Sequence, residues 1–121
     1  MNWRLLPKAQ ADSARIDEEW GSLRWLAGKA VSDTEGLTLG RVTIKPKQSN
    51  PRHSHPNCDE VLYLLSGKLQ HSIGDESVVL ESGDTLIVPG GLAHNALNIG
   101  DEDADMIVAY TSGDRQFRRE V

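Results

Sequence analysis

Two of the chain's four histidines, His53 and His55, are separated by a single serine. On an extended strand, residues i and i+2 point to one face with Cα atoms roughly 6.6 to 7 Å apart, so two imidazoles placed this way can converge on one ion. Pro51 before the pair and Pro56 after it cannot donate to a strand ladder, which limits the strand on both sides and favours a rim or a bend. Glu60 opens the apolar run Val61 to Leu65. A carboxylate at the mouth of a buried strand is costly unless it finds a cation, and a metal would satisfy it. His94 follows Pro89-Gly90-Gly91, and a strand beginning there can supply a third nitrogen from across a barrel. In Leu69-Gln70-His71-Ser72-Ile73 strand alternation places His71 on one face with Leu69 and Ile73. This face is interior, so His71 is a candidate general acid or base beside the metal, or else a hydrogen-bonded core histidine without catalytic duty.

These residues need a scaffold, and the sequence is punctuated like an all-β chain. Short runs rich in Val, Ile, Leu and Thr span Leu23 to Val31, Leu37 to Lys45, Val61 to Leu65, Lys68 to Ile73, Ser77 to Leu80, Thr85 to Val88, His94 to Asn98 and Met106 to Thr111. Between many of them stand Ser66-Gly67, Gly74-Asp75, Ser82-Gly83-Asp84, Pro89-Gly90-Gly91 and Gly100-Asp101, all turn signals. About eight short strands in a chain of 121 residues fit a small barrel or jelly roll, which removes the exposed sheet edges that invite aggregation. Arg15 to Trp20 reads as a helical turn or an arm, and the charged tail Asp114 to Val121 as a solvated end.

The spacing narrows this further. His53-x-His55, four residues, Glu60, six residues, Gly67 forms one string, and Gly83, five residues, Pro89-x-Gly91, two residues, His94, three residues, Asn98 forms another. Together they resemble the two motifs of the cupin superfamily. The second string matches at every defined position. The first departs once, because the family's leading Gly falls at Lys47, and the nearest upstream Gly is Gly40. The resemblance implies a single-domain cupin jelly-roll β-barrel (a double-stranded β-helix) over residues 1–121, with a short N-terminal arm and a metal-site core at about 37–112. It implies one divalent ion (Mn, Fe, Ni, Zn, Co or Cu) held by His53, His55, Glu60 and His94, and a homodimer. Four protein ligands in an octahedral shell would leave two adjacent positions for water, oxygen or a chelating substrate. In that arrangement Glu60 is the ligand expected to swing off and accept a proton, with His71 as the reserve acid or base.

Other residues read more plainly. Cys58 lies in the ligand loop, but the motif already supplies four ligands, so a free thiol is expected. Tyr63 falls on the face opposite Glu60, against the other sheet or a partner subunit. Met106, Val108 and Tyr110 share a core face, and Trp25 points inward with Leu23 and Ala27. The run Asp101 to Asp105 lacks the glycine and closing glutamate of a calcium loop and reads as a solvated turn. No Gly-x-Ser-x-Gly or phosphate-cradling loop is present.

Composition bounds the partners. Apolar residues make up 38% and there are 11 glycines, as in globular domains. A formal charge of −5 offers no basic field for nucleic acid. No apolar run approaches the roughly 20 residues of a membrane span, and Met1 to Asp12 lacks the apolar core of an export signal. A cytoplasmic location is expected, consistent with the lone cysteine. The expected function is a metal-dependent enzyme acting on a small oxygenated metabolite by isomerase, lyase or dioxygenase chemistry. The alternative is a non-catalytic, metal-containing barrel that binds a sugar or another small metabolite.

Overall fold

The computed structural model describes residues 3–120. In chain order the elements are helix α1 (Lys8–Ser13), strands β1 (Ile16–Glu18) and β2 (Gly21–Ala27), helix α2 (Lys29–Ser32), and strands β3 (Thr38–Ile44), β4 (His53–Ser54), β5 (Glu60–Ser66) and β6 (Lys68–Ile73). Strands β7 (Glu76–Glu81), β8 (Thr85–Val88), β9 (His94–Asn98), β10 (Ala104–Tyr110) and β11 (Arg118–Arg119) complete them. All pairings are antiparallel. One sheet runs β1-β2-β3-β10-β5-β8 and the other β11-β4-β9-β6-β7, the two-sheet arrangement of a jelly roll.

Period-two alternation decides what lies between the sheets. Strand β10 buries Ala104, Met106, Val108 and Tyr110 and turns the residues between them outward. Strand β5 buries Glu60, Leu62 and Leu64, β6 buries Leu69 and His71, and β9 buries His94, Ala96 and Asn98. At one end the inward positions are Ile44, Leu64, Leu69 and Met106, all nearly inaccessible. Truncating such a residue to Ala costs about 2–5 kcal/mol. Toward the other end the inward positions are polar, so the same alternation that builds the core delivers the histidines into it.

Two of the motif positions have clear backbone reasons. Gly67 turns β5 into β6 at φ +100°, and a Cβ there would sit 2.7 Å from the Ala104 Cα. Buried Asn98 is fully used: its amide donates to the carbonyls of Ile44 (2.9 Å) and Glu102 (2.7 Å), and its Oδ1 accepts from Gly100 N (2.9 Å). Lys47, standing where the cupin motif has glycine, adopts φ +66°. Its amide donates to the Asn98 carbonyl at 2.9 Å and its ammonium to the Ile99 carbonyl at 3.1 Å. The left-handed turn is therefore made without the glycine.

The structure revises several expectations. The run Leu23 to Val31 is not one strand, because β2 ends at Ala27 and α2 follows. Ser32 Oγ bonds the Gly28 backbone at 3.0 Å, and Lys29 N donates to Gly113 O at 2.7 Å; these contacts turn the chain. Arg15 to Trp20 is no helical turn: Ile16–Glu18 pairs with β2 in the register Ile16↔Leu23, and the helix lies earlier. Tyr63 lies on the face opposite Glu60 as expected, but it points outward at 43% exposure and not against the other sheet. The charged tail is paired, with Arg119 opposite His53.

Candidate metal centre

His53 and His94 are Cα partners across β4 and β9, and their rings lie 4.5 Å apart between centroids. His55, one residue past the end of β4, brings its ring within 4.8 Å of His53 and 5.2 Å of His94. His94 therefore neighbours His53 in the same sheet and does not reach across from the other, as the sequence suggested. Glu60 is the ligand candidate that crosses: it opens β5 in the six-stranded sheet, and its Oε1 lies 3.0 Å from His94 Nε2 and 3.3 Å from His55 Nε2. One ligand atom from each of His53, His55, Glu60 and His94 lies within 4.8 Å of the others, and all four residues are buried. Such a cluster could hold a metal ion.

The hydrogen bonds fix which nitrogens are available. His53 Nδ1 donates to the Pro51 carbonyl (2.6 Å), His55 Nδ1 to Gln116 (2.8 Å) and His94 Nδ1 to Leu92 (2.8 Å). A carbonyl only accepts, so each Nδ1 carries the proton and each Nε2 keeps its lone pair for the interior. His55 Nε2 is buried with no hydrogen-bond partner, since its approach to Glu60 lacks the geometry for one. At His94 a neutral Nε2 would face a carboxylate oxygen at 3.0 Å, lone pair to lone pair. A cation among them resolves both conflicts, and the residues fit one. Without it the proton must do so: burial opposes charging His94, but the Glu60 contact outweighs burial and raises its pKa. Burial alone would raise the Glu60 carboxyl, yet the contacts with His55 and His94 hold it well below the usual carboxylate range. His53 has no such carboxylate contact, and burial pushes it down to about 4.

His71 is buried beside this cluster, stacked on His94 at 5.6 Å and 19°. Its Nδ1 donates to the Ser72 carbonyl at 3.1 Å, and burial lowers its pKa to about 4. It is not one of the four converging residues. Cys58 is buried, lies outside the cluster, and has its thiol pKa raised by burial. A cavity of about 520 Å³ opens over the centre, lined by His53, Glu60, His71 and His94 and by the apolar faces of Leu62, Met106 and Val108. Sequence reasoning missed the tail's role here. Phe117 stacks on His53 (4.7 Å, 23°), Gln116 O orients His55, and Tyr110 meets the His55 ring edge-on at 4.8 Å. The one available signal was the chain's single phenylalanine, set among charges.

Comparison with known proteins agrees with this geometry. The rice germin-like protein 3-8 (Oryza sativa subsp. japonica) is 36% identical over 66% of this chain and 38% of its own length. Wheat oxalate oxidase GF-2.8 (Triticum aestivum) is 33% identical over 67% of this chain and 40% of its own. The chain thus spans about two-fifths of these relatives. Oxalate decarboxylase from Bacillus subtilis, a protein with Mn(II) centres, shares the fold with a TM-score of 0.81 at 23% identity, over 87% of this chain and 29% of that one. The cupin-domain family model matches residues 40–110, which run from β3 to the end of β10 and include all four converging residues, and the chain belongs to the cupin family.

Proposed function

We propose that the chain is a metal-dependent enzyme that binds one divalent ion through His53, His55, Glu60 and His94 and acts on a small oxygenated metabolite. The observation that carries this reading is the convergence of three inward Nε2 atoms and one buried carboxylate at the wall of an open cavity. Fixed lone pairs with no internal donor are costly to fold and serve a cation. A divalent ion supplies Lewis acidity and, where redox-active, electron transfer. The chain's own residues do the rest. The backbone carbonyls of Pro51, Gln116 and Leu92 hold the imidazole tautomers, and Glu60 offsets part of the ion's charge. His71, which lines the cavity and has its Nδ1 bonded to the Ser72 carbonyl, is the interior group for holding or moving a proton. A substrate with adjacent hydroxyl and carbonyl or carboxylate groups suits such a centre. Manganese and oxalate are the first ion and substrate to test, given the relatives' chemistry.

His53→Ala should abolish most of the metal content measured on protein purified without added ions. Full occupancy in that variant would defeat the assignment. Turnover screening of the metal-loaded protein, by oxygen uptake and by isomerisation and decarboxylation assays, separates enzyme from binding module. Tight ligand binding with no turnover across the panel would favour the module.

A further inference from the structure

Arg115 also lines the cavity that holds the proposed metal centre. Its guanidinium carbon lies 4.6 Å from the Trp25 ring centroid, 5.0 Å from Tyr110 and 5.6 Å from Phe117. Two of those rings touch the ligand histidines: Tyr110 meets His55 and Phe117 stacks on His53. The cation is thus one aromatic ring away from the centre. Among the described residues no acidic side chain forms an ion pair with it, and its Nε is buried without a hydrogen-bond partner.

We propose that Arg115 is the anion anchor of the site and selects substrates that carry a second carboxylate beyond the one that chelates the metal. This rests on the metal-centre reading above. The rings restrain the guanidinium, and one of its N–H groups reaches the Tyr110 hydroxyl, while no acid takes the others, so a carboxylate can be received by the remaining N–H groups of the planar fork. An unpaired, partly desolvated cation costs stability unless a ligand completes it. Charge balance points the same way. One divalent ion, one Glu60 carboxylate, three neutral imidazoles and Arg115 sum to two positive charges, which a dicarboxylate neutralises. The exposed lining charges, Lys29 and Arg119 against Glu18 and Asp114, cancel one another. A cavity of about 520 Å³ is larger than a two-carbon diacid fills and admits diacids of four or more carbons.

The test uses Mn(II)-loaded protein, titrated by calorimetry with malate and with 2-hydroxybutyrate, which share a chelating head and differ in a tail carboxylate against a methyl. The wild type should bind malate about tenfold or more tightly than 2-hydroxybutyrate, as expected for a charge-assisted pair; equal affinities overturn the proposal. Arg115→Met should bring malate down to the affinity of 2-hydroxybutyrate with unchanged metal content, and a malate preference that survives in this variant also overturns it. Arg115→Lys keeps the charge without the fork and should retain an intermediate preference, which serves if the methionine variant does not fold. Metal analysis before any ligand is added keeps the two readings apart. A wild type that takes up no metal overturns the centre, and the anchor with it, whereas a metal-replete protein blind to the tail carboxylate overturns the anchor alone.

Discussion

Glu60 is a buried carboxylate that two histidine contacts hold ionised, and it is placed to bind a cation. It is 4% exposed, and its Oε1 faces two histidine nitrogens whose partner nitrogens already hold their protons. Replacing it with glutamine preserves shape while supplying an N–H that can point at the His94 lone pair. Glu60→Gln should therefore leave the metal-free protein folded, the amide contact replacing part of the ionised pair with His94, while metal affinity falls more than about 100-fold, beyond the loss typical of residues that only orient a ligand. Thermal melts in chelator and competitive metal titration measure the two effects. A variant that loses stability and keeps metal would mark Glu60 as a structural acid. Lys47 offers a second residue-scale test. At φ +66° a β-branched side chain is strained, so Lys47→Val should cost about 1–2 kcal/mol in denaturant unfolding. Lys47→Gly should stay within about 0.5 kcal/mol of wild type, relief of strain being offset by lost chain entropy and the lost Ile99 contact.

Among the elements, the shortest matter most to the site. Strand β4 has two residues, yet it lies between β9 and β11 and presents His53. Its outer support is the tail: Phe117 stacks on His53 and Gln116 fixes His55. Phe117→Ala removes a stacked ring worth about 0.5–1.5 kcal/mol, so metal affinity should drop up to about tenfold with all four ligands intact, and metal titration should record it. An unchanged affinity would make the tail a mere cover. Gly67→Ala tests the scaffold instead. Its φ of +100° and the 2.7 Å approach to the Ala104 Cα leave no room for a methyl, and unfolding should show a loss of about 2 kcal/mol or more. These contrasts explain what the sequence could disclose. Strands β5, β6, β8 and β9 were legible because alternation and glycine turns are local signals, and the four converging residues were legible because their spacing is fixed. Strand β1, helix α2 and β11 were not, since Ile16 takes its state from pairing with Leu23 across the turn at Glu19-Trp20, Ser32 from the Gly28 backbone, and Arg118 from Ser54, far off in the chain. The side of approach of His94 was also hidden: strand order, not spacing, makes it a neighbour of His53.

For the molecule as a whole, the imidazoles link folding, metal and pH. In the metal-free protein burial lowers both His53 and His71 to about 4, against about 6.5 in an unfolded chain. Between those values the unfolded state binds more protons, so the stability these residues contribute is complete above about pH 6.5 and is lost as pH falls toward 4. Each contributes on the order of 3 kcal/mol at most. His94 acts in the opposite sense, because its raised pKa favours the folded state at lower pH, and Glu60 enters only in stronger acid, where its depressed carboxyl begins to protonate. Two groups oppose one through the window, so the melting temperature of chelator-treated protein should fall steadily from pH 7 to 4.5. Metal adds to the same slope, since binding requires neutral Nε2 atoms and stabilises only the folded state. The metal-loaded protein should melt higher than the stripped one at pH 7, and the gap should close as acid releases the ion. Ile44, Leu64 and Leu69 are buried outside the lining of the cavity over the centre, so the stripped chain should keep its β circular dichroism at pH 7. His71→Leu leaves the four ligands in place and deletes one titrating group, so it should flatten the acid limb of the stripped protein. A melting temperature that ignores pH across this range, in both wild type and variant, would show that the buried histidines are not held neutral in the fold.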